Sequence, residues 1–204
     1  MSTIILASGE FPCHEIPLRL LAEAGRVVCC DGAVNELFAK NFTPDFIVGD
    51  LDSISPELRL RFSDRIVHEP SQDENDLTKA FRFCIKHEWR ELTILGAGGK
   101  REDHLLGNIS LLADFALEAR VDMVTNHGTF RAFIESPAQL DAIPGQQISI
   151  FSCDPETRVS GSGFKYPLDN LPLRRWHTAT LNEALVANPE LRFTRGPLIV
   201  FQNF

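Results

Sequence analysis

A chain of 204 residues, 44% of them hydrophobic, has material for a full core, which sets aside intrinsic disorder and fits one large domain or two small ones. The net charge of −8 argues against a nucleic-acid binder working from a basic face, and a polyanionic substrate would need a metal or local cations to hold it. No stretch approaches the ~20 apolar residues of a membrane span.

Met1 to Ala7 lacks the basic start and long apolar run of a secretory leader. The five cysteines (Cys13, Cys29, Cys30, Cys84 and Cys153) are odd in number and form no C-x-x-C pair, so a reduced, cytoplasmic protein is expected.

Thr3 to Ala7 reads as a first strand, and Pro17 opens a helix to Ala24 with Gly25 beyond it. Val27-Val28-Cys29-Cys30 is a continuous apolar run, as expected of a strand covered on both faces, with the two cysteines acting as small apolar residues. It ends at Asp31-Gly32-Ala33, where a helix through Leu37 and Phe38 begins. Phe46 to Val48 is a third strand, Pro56 to Phe62 a helix, and Arg65 to His68 a fourth strand. Leu77, Ala80, Phe81, Cys84 and Ile85 recur at helical spacing and predict a helix from Asp76 to His87. Its acidic start suits the helix dipole, and capping alone accounts for one of Asp73 and Asp76. Leu92 to Leu95 is a fifth strand, a long helix runs to about Ala119, and Val121 to Thr125 is a sixth strand.

Strands alternating with helices in this way mean an α/β domain with a mostly parallel sheet, expected over residues 1–126. From Gly128 the pattern changes to short β-prone pieces, among them Thr129 to Ile134, Gln147 to Ser152, Thr157 to Ser160 and Leu198 to Phe201, divided by Pro and Gly. Residues 127–204 are expected to form an all-β, sandwich-like domain of antiparallel strands.

The stretch Pro44 to Ser53 organises the chemistry. Its strand runs into Gly49 and then presents Asp50 and Asp52 beyond the sheet. Two carboxylates so close repel each other unless a cation neutralises them, and Mg²⁺ takes such oxygen ligands together with phosphate oxygens. Taken alone, the segment also reads as a solvated acidic turn. In open α/β sheets ligands sit outside the carboxyl ends of the strands. Asp31, Asp50, Asp52, Asp73, Asp76 and the loop Gly96 to Asp103 all fall on that rim, whereas acids without purpose would scatter over both ends.

The glycine loop is neither the dinucleotide fingerprint, whose last glycine is replaced by Arg101, nor a Walker loop. It offers backbone amides at a helix start with Lys100 and Arg101 beside them, which suits phosphate, although a tight structural turn explains the glycines equally well. The six histidines show no zinc spacing, and only His104, next to Asp103, lies on the rim. With no nucleophile elbow and no cysteine signature, the chemistry reads as phosphoryl-type transfer by positioning and electrostatics.

Asp31-Gly32-Ala33, Gly49-Asp50-Leu51-Asp52-Ser53, Asp73-x-x-Asp76-x-Thr78-Lys79-Ala80 and Gly96-x-x-Gly99-x-Arg101-x-Asp103-His104, in this order, resemble the thiamine pyrophosphokinase family. So does the later Gly163-Phe164-Lys165-Tyr166-Pro167-Leu168. The resemblance implies an ATP-binding α/β domain, a β-sandwich domain that helps to bind thiamine, and a homodimer with active sites shared between subunits. It implies transfer of a diphosphoryl group from ATP to the hydroxyethyl oxygen of thiamine, releasing AMP.

By motif position, Asp50, Asp52, Asp73 and Asp76 would hold Mg²⁺ or stand behind its ligands. Thr78, Lys79 and Arg101 would contact phosphates, with Asp31, Ser53, Gly98, Gly99 and His104 beside them, and Asp103 would help to place the substrates. Spacing does not settle which carboxylate, if any, accepts the hydroxyl proton. Near the C-terminus Asn182 matches the family, whereas Leu181 stands where serine is usual. Trp176 either stacks on the aminopyrimidine or is a half-buried core residue. A hydrolase that passes the phosphoryl group to water would use the same acidic rim.

Overall fold

The computed structural model describes residues 2–204; Met1, with which the expected first domain and the leader-free start begin, lies outside them. The chain divides into two compact units. One runs to Leu111 and adds Glu118–Asn126; the other takes Leu112–Leu117 and His127–Phe204.

The first unit carries β1 (Thr3–Leu6), α1 (Glu15–Ala22), β2 (Arg26–Cys30), α2 (Ala33–Ala39), β3 (Phe46–Gly49), α3 (Pro56–Arg61), β4 (Ile66–His68), α4 (Asp76–Lys86), β5 (Glu91–Leu95), β6 (Arg120–Val124) and all but the last turn of α5 (Glu102–Phe115), whose residues from Leu112 onward fall in the second unit. Its strands lie in the order β6-β5-β1-β2-β3-β4 and every neighbouring pair is parallel. The apolar runs explain this: Ile4, Ile5, Val28, Cys29, Ile47, Val48 and Ile94 are all fully buried, as strands covered on both faces require. Successive strands step outward from β1 to β4, and β5 then returns to the other side of β1. That reversal opens a crevice beyond the carboxyl ends of β1 and β5.

α1 and α5 depart most from expectation at their ends. α1 starts at Glu15, not Pro17, because His14 caps it by accepting the Ile16 N–H at 3.3 Å, and Pro17 is tolerated in the first turn, where its missing N–H has no role. The long helix stops at Phe115, before Ala119: the next turn tightens, with the Leu117 N–H reaching the Asp114 carbonyl at 3.2 Å.

The second unit holds β7 (Gly128–Phe133), β8 (Ala138–Gln139), β9 (Gln147–Ser152), β10 (Arg158–Ser162), β11 (Leu168–Pro172), β12 (Ala179–Glu183), β13 (Glu190–Phe193) and β14 (Leu198–Asn203). Antiparallel pairing gives β12-β9-β14-β7 and β11-β10-β13-β8. Ile148, Ile150, Leu198 and Val200 from the first group pack with Val159 and Leu191 from the second in one core, the arrangement of a β-sandwich. No helix among the described residues is long and apolar enough to cross a membrane.

Candidate active site

The crevice predicted by the strand order is a cleft of about 370 Å³ within the first unit. Three carboxylates, Asp31, Asp50 and Asp52, bring oxygens within 4.8 Å of one another at the ends of β2 and β3. Asp31 is the buried anchor, only 1% exposed. Its oxygens accept backbone N–H groups from Gly32 at 2.6 Å and Leu51 at 2.8 Å. Burial pushes its carboxyl up, the negative charge of Asp76 adds to this, and the two amides oppose it.

Two backbone features let the acids meet. A side chain at Gly49 would put its Cβ 2.8 Å from the Asp31 Cγ, so glycine alone permits the approach. Leu51 adopts φ +71°, an unfavourable left-handed conformation for leucine, which aims its N–H at Asp31. Burial of the Leu51 side chain, 7% exposed, holds it there. Asp50 accepts from Gln72 Nε2 at 2.7 Å and from the Asp52 N–H at 3.3 Å. The Gln72 bond, foremost, holds the Asp50 carboxyl below its ordinary range. Ser53 donates its hydroxyl to Asp52 at 2.7 Å, and Asn35 on α2 clamps the segment by donating to the Ser53 carbonyl and accepting the Ser55 N–H.

Asp76 and Lys79 stand together in the cleft, not in the acidic trio: they form an ion pair of 3.0 Å on the first turn of α4. Burial alone would push the Lys79 ammonium down, but the hydrogen bond and charge of Asp76, helped by Asp50 and Asp31, more than offset it and leave its pKa raised. Lys79 is therefore a buried, fully charged cation. Asp73 is exposed, exchanges hydrogen bonds with Ser71, and is not among the residues lining the cleft. The cap of α4 is neither Asp73 nor Asp76 but Asn75, which accepts the Thr78 N–H at 2.9 Å and the Thr78 hydroxyl at 2.8 Å. The Thr78 hydroxyl is thereby already engaged.

On the opposite side, the Gly9 N–H donates to the Gly96 carbonyl and the Glu10 N–H to the Gly98 carbonyl, both at 2.7 Å, so the turn after β1 lies against the loop after β5. A Cβ on Gly9 would sit 2.3 Å from the Gly96 oxygen. Gly98, Lys100, Arg101 and His104 line the cleft. Lys100 donates to the Ser8 carbonyl at 3.1 Å. Arg101 grips Asp103 with two parallel bonds of 3.0 and 2.5 Å, and this pairing pulls the Asp103 carboxyl down to about 2. The buried thiols Cys84 and Cys30 are inert: burial pushes Cys84 up to about 12, and Cys30, at the cleft floor, well above its ordinary value.

Ser8, Gln72, Asn75 and Asn108 also line the cleft and were not singled out by sequence reasoning. Asn75 had a usable signal, an asparagine directly before an acidic helical turn.

In the second unit, Asn182 is 3% exposed and both its functional ends are used. It accepts from the N–H groups of Tyr166 and Glu183 and donates to the Tyr166 carbonyl at 2.9 Å, pinning the Gly163–Leu168 loop to β12. Trp176 is half-buried, edge-on to Phe151 with ring centroids 5.8 Å apart. Leu181 is 67% exposed at a bulge in β12, with φ +59°.

Residues 18–125 match the model of the thiamin pyrophosphokinase catalytic domain, and residues 128–201 that of the thiamin pyrophosphokinase substrate-binding domain. The chain is 31% identical to thiamin pyrophosphokinase 1 of Caenorhabditis elegans over 72% of its own length and 65%, less than two thirds, of that protein's. It is 26% identical to thiamine pyrophosphokinase of Bacillus subtilis over 76% of each chain. The crystal structure of thiamin pyrophosphokinase from Geobacillus thermodenitrificans superimposes with a TM-score of 0.81 at 25% identity, covering 100% of this chain and 98% of that one. With both domain models matched in order along one chain, this protein belongs to the thiamin pyrophosphokinase family of enzymes.

Proposed function

We propose that the chain transfers a diphosphoryl group from ATP to thiamine in a Mg²⁺-dependent reaction, giving thiamine diphosphate and AMP. The hydroxyethyl oxygen of thiamine attacks the β-phosphorus, the bond from that phosphorus to the α-phosphate oxygen breaks, AMP leaves, and the hydroxyl proton is lost. The observation that carries this reading is the cleft and its rim: Asp50, which lines the cleft, belongs to an oxygen-only trio of carboxylates with Asp31 and Asp52, and Lys79, Lys100 and Arg101 line the same cleft, available to a polyphosphate. A trio that close, with a buried member whose charge is uncompensated by any side-chain cation among its hydrogen bonds, fits a hard divalent cation.

Asp31, Asp50 and Asp52 would hold Mg²⁺, which when bound neutralises charge on the transferring phosphates. Asp76 keeps Lys79 charged and aimed into the cleft, Asp73 stands behind, and Asp103 keeps Arg101 in place before substrate enters. Asp50, held low by Gln72, stays ionised and serves electrostatics better than proton transfer. Amides of Gly98 and Gly99, with Ser53, Thr78 and His104 nearby, complete the nucleotide side.

Residues 1–126 would thus be the ATP-binding catalytic domain and residues 127–204 the thiamine-binding domain, working in the cytoplasm as a homodimer with shared sites. Trp176 offers a flat ring to the pyrimidine of thiamine, and Asn182 supports the pocket by shaping its loop. The test is an incubation with thiamine, ATP and Mg²⁺, with separation of nucleotides and thiamine esters. AMP and thiamine diphosphate should appear in equal amounts and only with thiamine present. Orthophosphate released without acceptor would contradict the reading.

A further inference from the structure

Asn108 is a buried polar side chain, 9% exposed, two turns into α5 and facing the cleft. Its Nδ2 donates to the Ala97 carbonyl at 2.8 Å, within the glycine-rich loop and directly before Gly98. Its Oδ1 accepts from Asn75 Nδ2 at 3.4 Å. Asn75 in turn caps α4, the helix that carries Asp76 and Lys79. A chain of amides therefore runs from the loop after β5, through α5, to the start of α4. Burying an amide is unfavourable unless it is bonded, so a packing residue alone would have been apolar.

We propose that Asn108 is a positioning residue for the nucleotide polyphosphate. It holds the glycine-rich loop, with its amides and cations, at a set separation from Lys79, and Asn75 transmits that spacing to α4. The short bond to Ala97 is the rigid half of the clamp. The long bond to Asn75 is the adjustable half, and it has room to shorten when phosphates draw the two elements together. This rests on the nucleotide reading above.

The experiment measures equilibrium binding of an α,β-methylene ATP analogue with Mg²⁺, and separately the thiamine KM at saturating ATP. Asn108→Leu keeps the branched shape and removes both bonds. Asn75→Ser keeps a good N-cap but is too short for Asn108. For Asn108→Leu the nucleotide Kd should rise roughly tenfold, about 1.4 kcal/mol, while the thiamine KM stays within about twofold. For Asn75→Ser the rise should be about threefold, with an unchanged melting temperature. A folded Asn108→Leu protein that binds the analogue like the parent overturns the proposal. So does a parallel loss of both constants, which marks general loosening. If Asn108→Leu does not fold, Asn75→Ser decides by the same two readings. A parent that binds nucleotide yet makes no thiamine diphosphate refutes the assigned reaction and leaves the clamp to be judged by binding; a parent that binds no nucleotide refutes both.

Discussion

The acidic and the basic groups of the cleft are built on different principles. The carboxylates are set by backbone: Asp31 by two amides, and its neighbours by a left-handed Leu51 and a glycine with no room for a side chain. The exposed cations are held only at the tips of their own long side chains: Arg101 rests on Asp103, and Lys100 on the Ser8 carbonyl with Glu36 at 3.6 Å. Backbone-fixed groups keep their places when a ligand arrives, and side-chain pairs can exchange partners. On the proposed reading, the acidic side is preformed for a metal, and the basic side would be released to phosphate.

The largest effect should come from the preformed side. Asp52→Asn should lower turnover on the order of a thousandfold or more, since a lost metal oxygen removes several kcal/mol of transition-state stabilisation. Because Asp52 is exposed, the fold should survive. Near-parental turnover at saturating Mg²⁺ would take the metal role from Asp52. On the exchangeable side, Arg101→Lys should cost about 10–100-fold in kcat/KM, the loss of a bidentate charge-assisted contact worth ~1.5–3 kcal/mol. Unchanged kinetics would make Arg101 a surface cation paired with Asp103 and nothing more.

Much of this division was legible in the sequence, and the reasons differ by residue. The strands are apolar runs closed by glycine or aspartate, so the rim and its acids follow from order alone. What joins the acids is another matter. Leucine disfavours the left-handed region, so nothing at Leu51 announces that its N–H turns onto Asp31, twenty positions earlier. By motif position Asp31 is a neighbour of the nucleotide, and Asp73 and Asp76 hold the metal or stand behind its ligands. The structure gathers Asp31 with Asp50 and Asp52, while Asp76 takes Lys79. Gln72 and Asn108 act through partners distant in the chain, Asp50 and Asn75, and neither belongs to a local pattern that marks such a role. In the second unit, the bulge at Leu181 and the inward use of Asn182 depend on strand register, which alternation alone does not specify.

Gly49→Ala should destabilise the protein by about 1–3 kcal/mol, the usual cost of overpacking, because its Cβ would lie 2.8 Å from the Asp31 Cγ. Thermal unfolding measures it, and an unchanged midpoint would show that Asp31 moves aside freely. The smallest effect belongs to the exposed pair. Arg101 holds Asp103 at about 2, below its ordinary 3.8. A depressed acid contributes stability that is present above the ordinary value and is lost as pH falls through the folded one. The difference in melting temperature between the parent and Arg101→Leu should therefore be small, largest near neutrality, and closing between pH 3.8 and about 2. A difference that grew on acidification would reverse the assignment.

A crystal structure with Mg²⁺ and an α,β-methylene ATP analogue bound would separate the fixed acids from the exchangeable cations. In it Asp31, Asp50 and Asp52 should keep their mutual positions and the Gly32 and Leu51 amides should stay on Asp31, while the Arg101 guanidinium should leave Asp103 for phosphate oxygens. A bound nucleotide with Arg101 still on Asp103, or a carboxylate trio that has to rearrange to meet the metal, would contradict this division.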